Sequence, residues 1–495
     1  MRCVRATASA TVPRRAGYRR AVSTGVGANL DLAVADLAER LRAALEPPEH
    51  AGVAITPEEL RARLDEPLPE RGTPVEELLD ELEAKVAPGL PGTTGPRYFG
   101  YVTGGVLPGA ALAQAWATAV DQNPALWTLA PAAAELEQVV IGWLADLLEL
   151  PRGSGVFTSG ATMANTVSLA VARHWFGKKH GVSVAEQGVR ALPELAVYGS
   201  EELHLSDHKA LRTLGLGSGC VRRIPIDERY RMLVDDLVAA IRRDRAAGIE
   251  PAIVAAQAGS VNTGASDPLE EIADVCAEHG LLLHVDGAFG AFFGLCRRTA
   301  ELVAGLERAD SVAVDGHKWL NLPNGTGFAL LRDAALHRET FAGSAAYLTK
   351  SADAGLDLHE LGIEGSRSWR GVAAWAAVKE LGREGVAELV TRCCDLTAEL
   401  AALVEASPRL ELTAPAPTCV CCFRYRPEGR RAGPELDELN RRIQQEVAAG
   451  GEVFLTGAQL TSGFCQRACI VSWRTRSEDV VALVEAVERA GARLT

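Results

Sequence analysis

The chain has 495 residues, with 51 Lys and Arg against 64 Asp and Glu, a formal net charge of −13. That balance supplies no basic footprint for nucleic acid or an anionic membrane. Hydrophobic residues at 47% and charged residues at 23% exclude general disorder and fit a globular protein of about three domains.

Residues 1–30 carry six arginines, and no acid precedes Asp31. They read as a disordered leader, although a transit peptide shares that composition. The N-terminus lacks the apolar core of a secretory signal, and no apolar run approaches the ~18–20 residues that cross a bilayer. A cytoplasmic protein is therefore expected. From 31 to 100 the pattern is helical and acidic: Leu32, Leu37, Leu41 and Leu45 recur at helical spacing until Pro47-Pro48, and a second helix is expected near 74–86. The segment is too thin to hold a core of its own.

The rhythm changes between about 150 and 331. Short apolar runs, such as Gly155-Val-Phe-Thr, Leu195-Ala-Val-Tyr, Ala252-Ile-Val-Ala-Ala-Gln, Leu281-Leu-Leu-His-Val-Asp and Ser311-Val-Ala-Val-Asp, alternate with helical stretches. Such alternation implies an α/β domain, a mostly parallel sheet covered on both faces, assigned here to 101–369. A long helix from Gly371 and a strand-rich tail form a smaller α+β domain over 370–495. The eleven cysteines are an odd number in a chain without an export signal, so no disulfide framework is expected. Thr418-Cys-Val-Cys-Cys-Phe reads as a buried strand using Cys as a small hydrophobe, and no metal site is expected.

In parallel sheets, ligands bind beyond the strand C-termini. There, Thr158-Ser-Gly-Ala-Thr162 precedes a helix and could expose N–H groups to a phosphate, or simply cap the helix. One strand ends in Asp286. Another ends in Asp315-Gly-His-Lys318, and lysine is scarce, at seven among the 51 basic residues. An amine that must form an imine cannot be replaced by Arg. Lys318 with Asp286 suggests pyridoxal phosphate, which needs a lysine and an acid for its ring nitrogen. The alternative is a solvated lysine and a helix-capping aspartate.

Ordered motifs from about 97 to 380 carry a further signal: Tyr98-Phe-Gly-Tyr, Pro131 with Glu135-Leu-Glu, Phe157-Thr-Ser-Gly-Ala-Thr-Met-Ala-Asn, His204-Leu-Ser-Asp-His-Lys-Ala, Asn262-Thr-Gly-Ala-Ser-Asp-Pro, His284-Val-Asp-Gly-Ala and Asp315-Gly-His-Lys-Trp. In these the sequence resembles the group II pyridoxal phosphate-dependent decarboxylases, the family of aromatic amino acid, glutamate, histidine and diaminobutyrate decarboxylases. The resemblance implies fold type I, the aminotransferase-like α/β architecture, and decarboxylation of an L-amino acid to an amine and CO2. It implies that Lys318 holds the cofactor covalently, that Asp286 faces its ring nitrogen, that Ala288 packs under the ring and that His204 stacks on the other face. Ala161, Thr162, Asp315 and His317 fall at the phosphate, with Asp315 standing where many relatives have Asn. Tyr347 matches a lid tyrosine that serves the neighbouring subunit, so a homodimer with shared sites is expected. Tyr101, Val102, Thr103, Gly104 and Trp127 are the candidates for reading the substrate side chain. Arg97 is the only cation near them, which favours an aromatic or aliphatic substrate over glutamate, and Ser266 replaces a frequent aromatic, which loosens the pocket. An aminotransferase or a decarboxylation-coupled aldehyde synthase shares the scaffold and remains open at this stage, as does a non-catalytic homologue that stabilises a partner enzyme.

Overall fold

The computed structural model describes residues 30–53, 55–343 and 355–495. The disordered leader expected over 1–30 lies outside the described residues apart from Leu30, and Tyr347 lies outside them entirely. The chain divides into two compact units, one of residues 1–46 and 55–90, the other of residues 47–54 and 91–495.

The first unit holds three helices, Leu30–Ala44, Pro57–Leu64 and Val75–Lys85. The middle one was not anticipated from periodicity. Its start is nevertheless written in the sequence as a capping box, in which Thr56 accepts from the Glu59 backbone and the Glu59 carboxylate accepts from the Thr56 N–H. Arg40 ties the first and third helices through Asp36, Asp80 and Glu83. Leu64, Leu68, Leu78 and Leu82 remain exposed, as expected of a segment too thin to bury them.

The second unit is built on a seven-stranded sheet. Its strands are β1 (Ser154–Thr158), β2 (Leu195–Ser200), β3 (Val221–Ile224), β4 (Glu250–Gln257), β5 (Leu282–Asp286), β6 (Ser311–Asp315) and β7 (Gly327–Leu331). Their order is β1-β7-β6-β5-β4-β2-β3. All neighbours are parallel except those of β7, which runs antiparallel to both β1 and β6. β2, β5, β6 and β7 are buried at every position, because helices cover both faces and leave no side for polar alternation. The register sets Gln257 beside Asp286, Asp286 beside Ala313 and Asp315 beside Gly327. The chemistry-bearing strand ends therefore converge on one edge.

A 36-residue helix, Gly371–Ala406, bends at Gly382 (φ 64°), a left-handed backbone that glycine adopts without a Cβ penalty. It leads to a four-stranded antiparallel sheet of β8 (Leu410–Leu412), β9 (Val420–Tyr425), β10 (Thr456–Leu460) and β11 (Gly463–Cys469), in the order β10-β11-β9-β8. The cysteine-rich strand is β9, and every residue in it is buried. The ten cysteines among the described residues are free thiols, nine of them buried. No described helix is long and apolar enough to cross a membrane, and no described group of His, Cys, Asp and Glu is arranged to hold a metal ion.

Candidate active site

The loops after β1, β2, β5 and β6 surround Lys318. Its Nζ lies 2.9 Å from Asp315 Oδ2 and 5.5 Å from the centre of the Phe289 ring. Gly104 packs against its backbone: a Cβ there would fall 2.2 Å from the Lys318 carbonyl oxygen and 2.6 Å from Asn321 Nδ2. Asn321 is a left-handed residue (φ 48°) whose amide donates to the carbonyls of Lys318, Trp319 and Val471 and accepts from the Trp473 N–H. The lysine is thus presented from a turn clamped between the two sheets of the unit.

Asp286 ends β5 with both oxygens engaged. Oδ1 accepts from the Ala288 N–H at 3.0 Å. Oδ2 accepts from Asn165 Nδ2 at 2.8 Å and lies 3.2 Å from Ser206 Oγ. Burial alone would push its carboxyl up. In the acid range where it would take up a proton, an imidazolium at His204, the Lys318 ammonium and the bonds from Asn165 and Ala288 outweigh that and hold it below the usual carboxylate range. Asp286 is therefore an ionised carboxylate in a dry site.

His204 caps the helix Leu205–Thr213, its Nδ1 accepting from the Ser206 N–H at 3.2 Å. Burial lowers the imidazole's affinity for a proton, opposed by the charge of Asp286 and reinforced by that of Lys318. The ring is neutral and carries its hydrogen on Nε2.

The turn after β1 reaches the helix Ala161–Lys179 through Gly160 (φ 141°), against which Gly327 of β7 packs so closely that a Cβ on Gly327 would meet the Gly160 backbone at 2.6 Å. Here the Ala161 N–H is bonded to Asp315 Oδ1 at 2.5 Å, with His317 Nδ1 3.5 Å from the same oxygen and 3.1 Å from the Thr326 carbonyl. Asp315 thus sits as an anion at the helix N-terminus, on the N–H group expected to meet phosphate. Thr162 is exposed beside it.

The substrate candidates divide. Tyr101 is exposed with φ 54°, and Val102 and Gly104 are buried. Thr103 is half-buried between them. Trp127 donates from Nε1 to Glu135 of the helix Pro131–Leu147 and from its backbone to Asp357, contacts that do not involve Lys318. Arg97 is bound to Asp479 at 2.9 Å and Glu452 at 3.5 Å, so it does not serve the site. The cation beside Tyr101 is Arg467 of β11, which donates to the Tyr101 carbonyl at 3.1 Å and the Val261 carbonyl at 2.5 Å. Sequence reading missed Arg467 because nothing in its neighbourhood signals that β11 returns to residue 101. It also missed Asn165 and Ser206 as supports of Asp286, although helical spacing places Asn165 one turn beyond Ala161.

An amine, an ionised carboxylate, a neutral imidazole and an anion seat at a helix N-terminus form a donor set that fits pyridoxal phosphate. The sequence matches the pyridoxal-dependent decarboxylase conserved domain over residues 57–426, and the chain belongs to that family. It is 30% identical to an aromatic-L-amino-acid decarboxylase of Bacillus atrophaeus over 86% of this chain and 87% of the relative. It is 31% identical to a cysteine sulfinic acid decarboxylase of Mus musculus over 79% of each. The fold matches an Oryza sativa TDC structure with PLP and tryptamine at a TM-score of 0.87 and 24% identity, covering 96% of this chain and 100% of that one. The chain is a pyridoxal phosphate-dependent amino acid carboxy-lyase of fold type I.

Proposed function

We propose that Lys318, Asp286 and His204 are the working residues of this decarboxylase, with Ala288 under the ring and with Ala161, Thr162, Asp315 and His317 at the phosphate. When bound, pyridoxal phosphate supplies a carbonyl for the substrate amine and a protonated ring that withdraws the electrons freed at Cα. Asp286 holds the ring nitrogen's proton by charge. His204 would cover the other face of the cofactor ring and would offer Nε2–H to the substrate carboxylate, orienting that group for cleavage. His204, or Tyr347 of the lid, then delivers a proton to Cα. The observation that carries this reading is the setting of Asp286, which closes β5 with its two oxygens bonded by Asn165 Nδ2 and the Ala288 N–H while His204 and Lys318 lie close enough to act on it.

The substrate is an aromatic or aliphatic L-amino acid. Tyr101, Val102, Thr103 and Gly104 carry no charge, Arg97 is spent on Asp479, and Arg467 turns Nε and Nη1 to the backbone carbonyls of Val261 and Tyr101. The active form is a cytoplasmic homodimer with Tyr347 serving the neighbouring site. Leu112, Trp116, Leu129, Val139 and Trp375 give the second unit exposed apolar surface of the kind a second copy covers. CO2 release from a panel of amino acids with added cofactor tests the assignment. Turnover of tyrosine, tryptophan or leucine is expected. Preference for cysteine sulfinate or aspartate would overturn the substrate class, and unchanged cofactor absorbance in Lys318→Ala would overturn the site.

A further inference from the structure

Behind Asp286 lies a second carboxyl group. Asp207, in the first turn of the helix Leu205–Thr213, is completely buried. Its Oδ2 is 3.4 Å from Ser206 Oγ. Its Oδ1 is 3.7 Å from His284 Nε2 and makes no hydrogen bond. No ammonium or guanidinium among the described residues pairs with it.

Counting hydrogens around it fixes its state. Asn165 Nδ2 donates to Asp286 Oδ2 at 2.8 Å and to Ser206 Oγ at 3.0 Å. Asn165 Oδ1 is then an acceptor, so His284 Nε2, 3.1 Å away, carries the hydrogen, and His284 Nδ1 accepts from Ser311 at 2.9 Å. That imidazole is neutral, pushed down to about 4 by burial. Ser206 Oγ lies 2.6 Å from His204 Nδ1, an atom already shown to be an acceptor, so the single hydroxyl hydrogen points there. Ser206 has accepted one bond, from Asn165, and is left with one lone pair and no hydrogen for the two carboxyl oxygens that also face it, Asp286 Oδ2 at 3.2 Å and Asp207 Oδ2 at 3.4 Å. With both carboxyls ionised, three oxygens would meet there without a hydrogen between them, whereas a carboxylic acid at Asp207 donates into the Ser206 lone pair.

We propose that Asp207 is a positioning residue for His204 and Asp286: a buried neutral acid that donates to Ser206 and thereby directs the Ser206 hydroxyl to His204. The acid completes a relay from Asp207 through Ser206 to the imidazole, and it leaves Asp286 as the sole negative charge of the nest. Burial and the adjacent charge of Asp286 both push the Asp207 carboxyl well up, in agreement with the hydrogen count. The titratable groups facing it are Asp286 and His284 on β5, with His204 and Lys318 beyond Asp286. The proposal rests on the reading of His204 and Asp286 as the two residues that face the cofactor ring.

Asp207→Asn and Asp207→Val in the full-length protein test it, with Asp207→Ser in place of a Val variant that does not fold. The amide keeps a donor and the zero charge, whereas Val removes both oxygens. At pH 7 the Asn variant should bind pyridoxal phosphate within about threefold of wild type and keep the resonance of the 15N-labelled ring nitrogen, while the Val variant should weaken binding by roughly tenfold and shift that resonance. Equal losses in Asn and Val would mean that a charge had been removed, and would overturn the proposal. Without cofactor, unfolding of wild type and of the Asn variant is compared from pH 5 to 7. A raised acid keeps a proton in the fold that the unfolded chain has released, so wild type should lose stability relative to the variant by roughly tenfold in the unfolding constant per pH unit. Parallel curves would overturn the neutral acid. Asp286→Asn separates the two readings: unchanged ring-nitrogen resonance there refutes the cofactor site and leaves the cofactor-free titration to judge Asp207 by itself.

Discussion

Replacing Gly104 with alanine puts one methyl group against the turn that presents Lys318. The new Cβ would lie 2.2 Å from the Lys318 carbonyl oxygen and 2.6 Å from Asn321 Nδ2, both well inside contact distance. Neither neighbour can yield cheaply. The carbonyl accepts from Asn321 at 2.9 Å, and the same amide holds Trp319 and Val471 at 3.0 Å each. Overpacking of this kind costs about 1–3 kcal/mol, and each hydrogen bond lost as Asn321 turns adds about 1 kcal/mol. A total loss of about 2–4 kcal/mol is expected in urea denaturation of the cofactor-free protein. Because the displaced carbonyl belongs to Lys318 itself, cofactor affinity should fall by roughly tenfold, a shift of about 1.4 kcal/mol in binding free energy. An alanine variant within about 0.5 kcal/mol of wild type, the range of a neutral surface change, and with undiminished affinity would refute the argument that close approach at this glycine fixes the lysine.

Three further outcomes follow from the geometry. Asp315→Asn removes the charge seated on the Ala161 N–H, so the affinity for inorganic phosphate and for the cofactor should rise by roughly tenfold in a site of intermediate dielectric; calorimetry showing weaker binding would disprove the shared seat. Burial pushes the His337 imidazole down to about 4, below an unfolded value near 6.5. The unfolded chain therefore takes up a proton first, and stability falls as pH drops from about 6.5 to 4, by about 1.4 kcal/mol per unit. His337→Gln, which can still donate to the Leu361 carbonyl, should flatten that acid slope by one proton, and an unaltered slope would contradict it. Glu137 accepts from Nη1 and Nη2 of Arg367 at 3.2 and 2.6 Å in a buried pair that also binds the Gly371 N–H. Arg367→Leu leaves that carboxylate stranded and should cost about 3–5 kcal/mol in chemical denaturation; a loss below about 1 kcal/mol would contradict it.

The residues differ in how far the sequence alone exposed them. Lys318 was legible because lysine is scarce and this one follows a strand, and Asp286 because it closes an apolar run. The helix that follows Thr158-Ser-Gly and the buried cysteine strand at 420–425 were legible from local pattern alone. Asp207 was not, since its role depends on Asp286 and His284 across the sheet, and a polar residue in a first helical turn ordinarily reads as solvated. Arg467 was hidden for the same reason, since its partner Tyr101 is 366 positions away. Arg97 misled because proximity along the chain stood in for proximity in space; its side chain turns to Asp479 at the other end of the sequence. The reversal of β7 within an otherwise parallel sheet carries no local signature either, as its five residues are apolar like those of its neighbours.

The burial of nine thiols among the ten described gives the molecule an internal clock. Reagents that alkylate sulfur reach those nine only when the protecting structure opens, so mass gained per molecule registers the opened population without any added label. Cys220, at the surface end of β3, marks time zero. The other nine, of which Cys276 and Cys296 lie on the flank of the large sheet and the rest on the helix Gly371–Ala406 and on or beside β9 and β11, tell which half lets go first.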